Sequence, residues 1–235
     1  MTRIGSMELT RRFFCLTLFT LGLVALGYWG DITAVMLFAG ALLIYVALPR
    51  PKPPLSAFTY EKIPAVYGPD MLGLMMTSVF IALPFWAALS EEYMWQDSVI
   101  PLHPSALLSW PLALISASIL VVSASYASFW LDIKQDGLHL YSLRQDRFIS
   151  FSNISRVVPF RRGLPRWIRW LTPLFILSGR YTAAGAVILA RDTTGFSMCL
   201  TDGSTIHIDV SAFEKPAKKI LQTLRKKGVP IEINR

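Results

Sequence analysis

Charge is scarce in this chain. Only 16% of its 235 residues are Asp, Glu, Lys or Arg, against about 25% in a soluble domain. With 53% hydrophobic residues and a mean hydropathy of +0.46, the composition excludes an ordinary soluble domain and points to a membrane protein. Cysteine is scarcer still. Cys15 lies in the first apolar run and Cys199 in a late strand-like segment, which excludes a disulfide framework or a zinc spacing and agrees with a reducing face for the second half. Catalytic signatures are missing too: there is no H-E-x-x-H, no G-x-S-x-G, no phosphate loop and no G-x-G-x-x-G after a strand. No enzyme chemistry, cofactor or metal is therefore expected. His139 and His207 stand in alternating strand segments and read as wall or surface positions, while His103 shares a solvated acidic loop with Glu91, Glu92 and Asp97.

What the chain does have is apolar runs. A hydrocarbon slab of about 30 Å needs roughly 20 apolar helical residues to cross. Four segments come close: Phe13 to Gly30, Ile32 to Leu48, Met71 to Leu89 and Ala106 to Leu131. The first two form a tight helical hairpin, and the second ends at "PRPKPP", which cannot continue a helix. "TRRFFC" resembles a twin-arginine export signal and "ALG" a peptidase site, but a second apolar run follows at once, so the first helix is expected to be retained. Within these limits the spans contain no Asp, Glu, Lys, Arg or His, which argues against a small transporter. Pro84 and Pro111 read as kinks repaired by neighbours. In the fourth span Ser109, Ala113 and Ala117 recur every four residues, a spacing that lets helix backbones approach closely, first within this bundle and second against a partner helix.

The cations are distributed unevenly. Up to Leu131 there are six Lys and Arg against seven Asp and Glu; from Asp132 onward there are 17 against eight. Arg3, Arg11 and Arg12 precede the first span, and Arg50, Lys52 and Lys62 lie between the second and third, whereas the connections at Asp31 and at "EEYMWQD" have neither Lys nor Arg. By the positive-inside rule both termini are cytoplasmic in an inner membrane.

After Trp130 the pattern alternates. Asp136-Gly137 and Asp202-Gly203 each lie between strand-forming runs, a strong hairpin signal. "RFISFSNISRVVPF" and "AVILARD" read as further strands, and Ser211 to Lys227 as a helix with Ile220, Leu221 and Leu224 as its apolar stripe and Gly228 as its stop. The fold class is thus a membrane protein with four transmembrane α-helices at 1–131, followed at 132–235 by a small α+β roll of antiparallel strands and a C-terminal helix.

The order strand, "DGL", strand, "RFISFSNISRV", then an "LTDGS" hairpin before a terminal helix resembles the bacterial pleckstrin-homology-like domain family, which occurs beside transmembrane helices. The resemblance covers roughly Leu131 to Val229. It implies a binding or scaffolding module and brings no catalytic residues. The chain departs from the family by showing fewer clear strands than seven and by an insert at about 161–184.

That insert, "RRGLPRWIRWLTPLFILSG", is too short in its apolar part to cross a bilayer. Arg161, Arg162, Arg166 and Arg169 alternate with Trp167 and Trp170, and Leu171, Leu174, Phe175 and Ile176 follow. Such a segment suits the membrane plane, with arginines at the headgroups and apolar side chains just beneath; packing within the protein and a partner surface are its alternatives. The expected partners are anionic phospholipid, an unidentified membrane or cytoplasmic protein and a second copy of the chain, and not nucleic acid. The expected function is a non-enzymatic inner-membrane anchor or scaffold whose cytoplasmic domain seats on anionic lipid and organises a partner. The second expectation is an accessory or assembly subunit of a larger membrane complex.

Overall fold

Two chain reversals organise the first half of the protein. The computed structural model describes residues 2–90, 103–162, 193–210 and 212–232, and the chain divides into two compact units: 2–133 with 139–147, and 134–138 with 148–232. In the first unit, α1 (Arg3–Tyr28) turns into α2 (Asp31–Ala47) through Trp29 and Gly30. Gly30 takes φ +87°, a conformation that a side chain would oppose. The two helices then run back along each other, with Gly22 against the Phe38 ring and the Cys15 thiol donating to the Ala41 carbonyl at 3.3 Å.

The second reversal is seen in the packing of α3 (Gly68–Ser90) along α4 (Ala106–Ala127), with Gly73 against Leu120 and Ile119. A π-helical turn, Ile63–Tyr67, leads directly into α3. α1, α3 and α4, with the turn counted as part of α3, are long and apolar enough to cross a membrane, and α2 is a shorter apolar helix of 17 residues. α4 buries Ser109, Ala113, Ser116, Leu120, Ser123 and Ala124 along one face, so small side chains let it lie close to its neighbours. It ends at Ala127, four residues short of the expected limit at Leu131. The reason is strand pairing: Trp130 and Leu131 lie opposite Thr59 and Phe58 in an antiparallel pair.

β1 (Phe58–Thr59), β2 (Trp130–Ile133), β3 (Gly137–Tyr141) and β4 (Asp146–Ser150) follow one another across a four-stranded sheet. β1 comes from the connection between α2 and α3, where two residues give no alternation to read in the sequence. Residues 139–147 group with the helices. Thr2 explains part of this. Its hydroxyl accepts from the Gly5 amide at 3.1 Å to cap α1, and donates to the Ser142 carbonyl at 3.1 Å. The Tyr141 ring stacks on Trp130 at 4.2 Å.

In the second unit, β5 (Ile154–Arg162), β6 (Thr193–Leu200) and β7 (Thr205–Asp209) form an antiparallel sheet in that order. The β6–β7 turn is the expected Asp202-Gly203 hairpin, with the Asp202 carboxylate accepting from the Ser204 amide at 2.8 Å. The other edge of β5 is covered at Val157, which exchanges backbone bonds of 2.9 Å with Pro230 and Glu232. That bridge occupies the backbone groups of Val157, which would otherwise be open on this edge.

The last helix, α5 (Ala217–Lys226), starts six residues later than Ser211, because Pro216 holds an extended ψ of 124° at its N-cap. It ends as expected. Gly228, at φ +80°, lets its own amide reach Arg225 and that of Val229 reach Leu224, each at 3.1 Å, a paired closure of the helix end. Ile220 and Leu224 are fully buried and Leu221 is half-buried, together with Val157, Phe196, Met198 and Ile208 in the core of this unit. Leu224→Ala should cost about 2–5 kcal/mol, whereas the exposed Arg225→Ala should cost no more than about 0.5 kcal/mol; denaturation of the purified protein, followed by hydrogen exchange of the β5–β7 amides, measures the difference.

Candidate functional site

Glu8, Arg11 and Arg12 share one face of α1, since residues three and four apart meet on a helix. On an exposed surface such pairs contribute little. Here all three are no more than 2% exposed. Glu8 accepts from Arg11 through one carboxylate oxygen and from Arg12, at 2.7 Å, through the other. Arg12 then turns its fork to Asp70 in the first turn of α3, with Nε to Oδ1 at 2.7 Å and Nη2 to Oδ2 at 2.9 Å. This two-pronged geometry is the strong form of an arginine–carboxylate pair.

The cluster reaches every helix of the first unit. From α2, the Tyr45 hydroxyl donates to Asp70 Oδ2 at 2.6 Å. Arg11 Nη2 donates to the carbonyls of Leu48 and Pro49, both at 2.9 Å, satisfying acceptors that the end of α2 leaves open. From α4, Ser123 accepts from Arg12 Nη2 at 3.2 Å and donates to the Val66 carbonyl, which the π-helical turn presents, at 3.0 Å. Two carboxylates face two guanidiniums, so the formal charge closes at zero. In a low-dielectric setting that balance matters, because an unpaired buried ion costs several kcal/mol.

Arg50 is treated differently. Its guanidinium lies 4.9 Å from the Tyr45 ring centroid and 4.7 Å from that of Tyr67, close enough for a cation–π contact with each. Tyr45, Tyr67 and Asp70 end an apolar cleft of about 330 Å³ between α1, α2 and α3, whose walls include Cys15, Phe19, Phe38, Leu42, Met71 and Met75. Arg50 also lines a smaller pocket of about 60 Å³ with Thr59, Tyr60, Lys62, Tyr126 and Trp130.

Of the residues singled out from the sequence, Ser109 and Ala113 are buried and Ala117 half-buried on α4. Arg161 and Arg162 end strand β5, in register with Thr194 and Thr193. Arg166, Trp167, Arg169, Trp170, Leu171, Leu174, Phe175 and Ile176 lie outside the described residues, as do the "AVILARD" segment and Glu91, Glu92 and Asp97 beside His103. His139 pairs with Asp146 at 2.8 Å, and His207 with Ser197 across the β6–β7 ladder at 2.7 Å.

The buried cluster corrects one inference. The helices do hold acidic and basic residues, because α1 begins ten residues before Phe13 and takes Glu8, Arg11 and Arg12 with it. Arg11 and Arg12 are consumed by pairing, which leaves Arg3, Lys52 and Lys62 as exposed cations near the helix ends. The E-x-x-R-R spacing from Glu8 to Arg12 is the signal in the sequence, and it lies just before the first long apolar run. No family model, no curated protein and no solved structure matches the chain.

Arg12→Met should destabilise the first unit by about 3–5 kcal/mol, since it leaves Asp70 buried without its counter-ion. Pairing it with Asp70→Leu should cost less than the sum of the two single changes by more than about 0.5 kcal/mol. Equilibrium unfolding in mixed micelles measures both.

Proposed function

We propose that the protein is a non-enzymatic inner-membrane anchor. Four helices hold a cytoplasmic pleckstrin-homology-like roll against the bilayer, where the roll seats on anionic lipid and organises a protein partner. The observation that carries this reading is α5: it buries Ile220 and Leu224 while exposing Lys218, Lys219, Arg225 and Lys226. A basic face of this kind is drawn to an anionic leaflet. Among the described residues, six strands from Trp130 to Asp209 precede this helix, one short of the seven of a complete pleckstrin-like domain, and their antiparallel pairing before a terminal helix supports that reading.

A fourth crossing by α2 is supported by its register. Its 17 residues extend about 26 Å, short of the slab by an amount that local thinning or flanking side chains accommodate. It returns along α1 from Gly30 to the Arg11 contacts with Leu48 and Pro49, so a crossing α1 brings α2 across with it. An even number of crossings with Arg3, Lys52 and Lys62 on one side supports a cytoplasmic position for both termini. The accessory-subunit reading loses its best feature, since Ser109 and Ala113 already face the inside of the bundle. A companion helix would need another face.

In the intact chain reconstituted into nanodiscs, the 161–176 amides should exchange more slowly in anionic than in neutral bilayers. Replacing Arg161, Arg162, Arg166 and Arg169 together by Ser should remove the difference; equal protection before and after overturns the seating. Protease added outside intact spheroplasts should spare the carboxyl-terminal unit and digest it only after lysis.

A further inference from the structure

We propose that the first unit holds one anionic phospholipid, with an acyl chain in the cleft between α1, α2 and α3 and its phosphate on Arg50 and Lys62. The proposal rests on the helices crossing a bilayer and is independent of the insert at 161–176.

The cleft's chemistry changes along its length. From Tyr67 to Met75 on α3, and from Tyr45 to Phe38 on α2, it extends about 10–12 Å, and Phe19, Phe38, Leu42, Met71 and Met75 give it apolar walls. An apolar cavity of about 330 Å³ does not hold water well, since water needs two to four polar partners. Leu42, Met71 and Met75 are exposed on its rim, so within a membrane the cleft is open to lipid tails. Phe19, Phe38 and the methionines supply the adaptable surface that a flexible chain requires.

The polar end is built for an oxyanion. Arg11 and Arg12 are paired to carboxylates, whereas Arg50 forms no ion pair among the described residues; its recorded partners are the rings of Tyr45 and Tyr67 and the Tyr45 hydroxyl. The two rings and the Tyr45 hydroxyl position the guanidinium without neutralising it, and with five N–H donors it keeps others for phosphate. Lys62 borders the same small pocket as Arg50, with Thr59 beside it. The two acidic groups nearby do not repel a phosphate. Asp70 already accepts from Arg12 twice and from Tyr45, and Glu8 from both arginines. Depth agrees as well. Arg12 lies 16 positions before Tyr28 at the far end of α1, roughly 24 Å along the axis, which puts the Arg12–Asp70–Tyr45 level, and Arg50 beside it, near the edge of the hydrocarbon. Tyr60, Tyr126 and Trp130 line the pocket there, as aromatic side chains do at headgroup level.

The test uses the full chain in mild detergent, with native mass spectrometry and thermal shift as readouts. The protein should retain one phospholipid, and dioleoylphosphatidylglycerol should raise its melting midpoint more than dioleoylphosphatidylcholine does. Arg50→Gln should weaken the phosphatidylglycerol effect roughly tenfold in affinity, as expected for one charge-assisted bond, and Arg50→Lys should restore part of it. Leu42→Trp, which fills the cleft from its rim, should weaken both lipids. Replacing the four arginines of the insert by Ser should leave the retained lipid in place, which separates this site from the seating of the second unit. The proposal is overturned if Arg50→Gln keeps the full preference for phosphatidylglycerol, if Leu42→Trp binds both lipids as wild type does, or if inorganic phosphate alone reproduces the shift.

Discussion

The grip of Arg12 on Asp70 is the interaction around which the helical unit is arranged. Each prong satisfies a carboxylate oxygen that burial would otherwise leave without water. Everything adjacent completes the same account: Glu8 balances the second guanidinium, Tyr45 occupies the remaining reach of Asp70, and Ser123 relays the contact to the carbonyl of Val66. Four helices meet at one end because four buried charges had to be neutralised there. Toward the opposite end Tyr28 donates to the Phe85 carbonyl at 3.1 Å and Trp86 to that of Leu23 at 2.9 Å. Between these ends small side chains do the packing, and hydroxyls such as Ser116 and Ser128 return their bonds to their own helix.

The second unit is stabilised by different means. Its core is apolar, with Val157, Phe196, Met198, Ile208, Ile220 and Leu224 all withdrawn from solvent, and burial of such side chains is the ordinary driving force in water. The pair of Arg156 with Glu232 at 3.0 Å is half-exposed and adds little. One chain therefore contains two economies of stability: polar closure among helices apolar enough to cross a membrane, and apolar burial beneath the β5–β7 sheet.

Local features were legible from the sequence. Asp202-Gly203 marks its hairpin, Gly228 its helix end, and Ser109 with Ala113 the inward face of α4, because each depends on near neighbours. Distant partnerships were not. Arg12 and Asp70 are 58 positions apart, and no pattern along the chain says that they meet. Boundaries failed where two signals overlapped. Trp130 and Leu131 are apolar enough to extend a span yet belong to a strand, and Pro216 permits a first helical turn but here precedes it. Arg50 lost its significance as one of several cations, since only the ring geometry distinguishes it from Lys52. The basic aromatic insert, the most conspicuous stretch of the chain, lies almost wholly beyond the described residues.

The stack of Tyr141 on Trp130 and the bonds from Thr2 to the 142–143 backbone bear on how the molecule can be dissected. A soluble fragment cut at Asp132 would carry residues 139–147 away from the contacts that shape them. It would start life with an orphaned hairpin and a stranded tyrosine ring. Biochemistry on such a piece would report on the scar as much as on the domain, and whole-chain preparations are the natural currency for this protein.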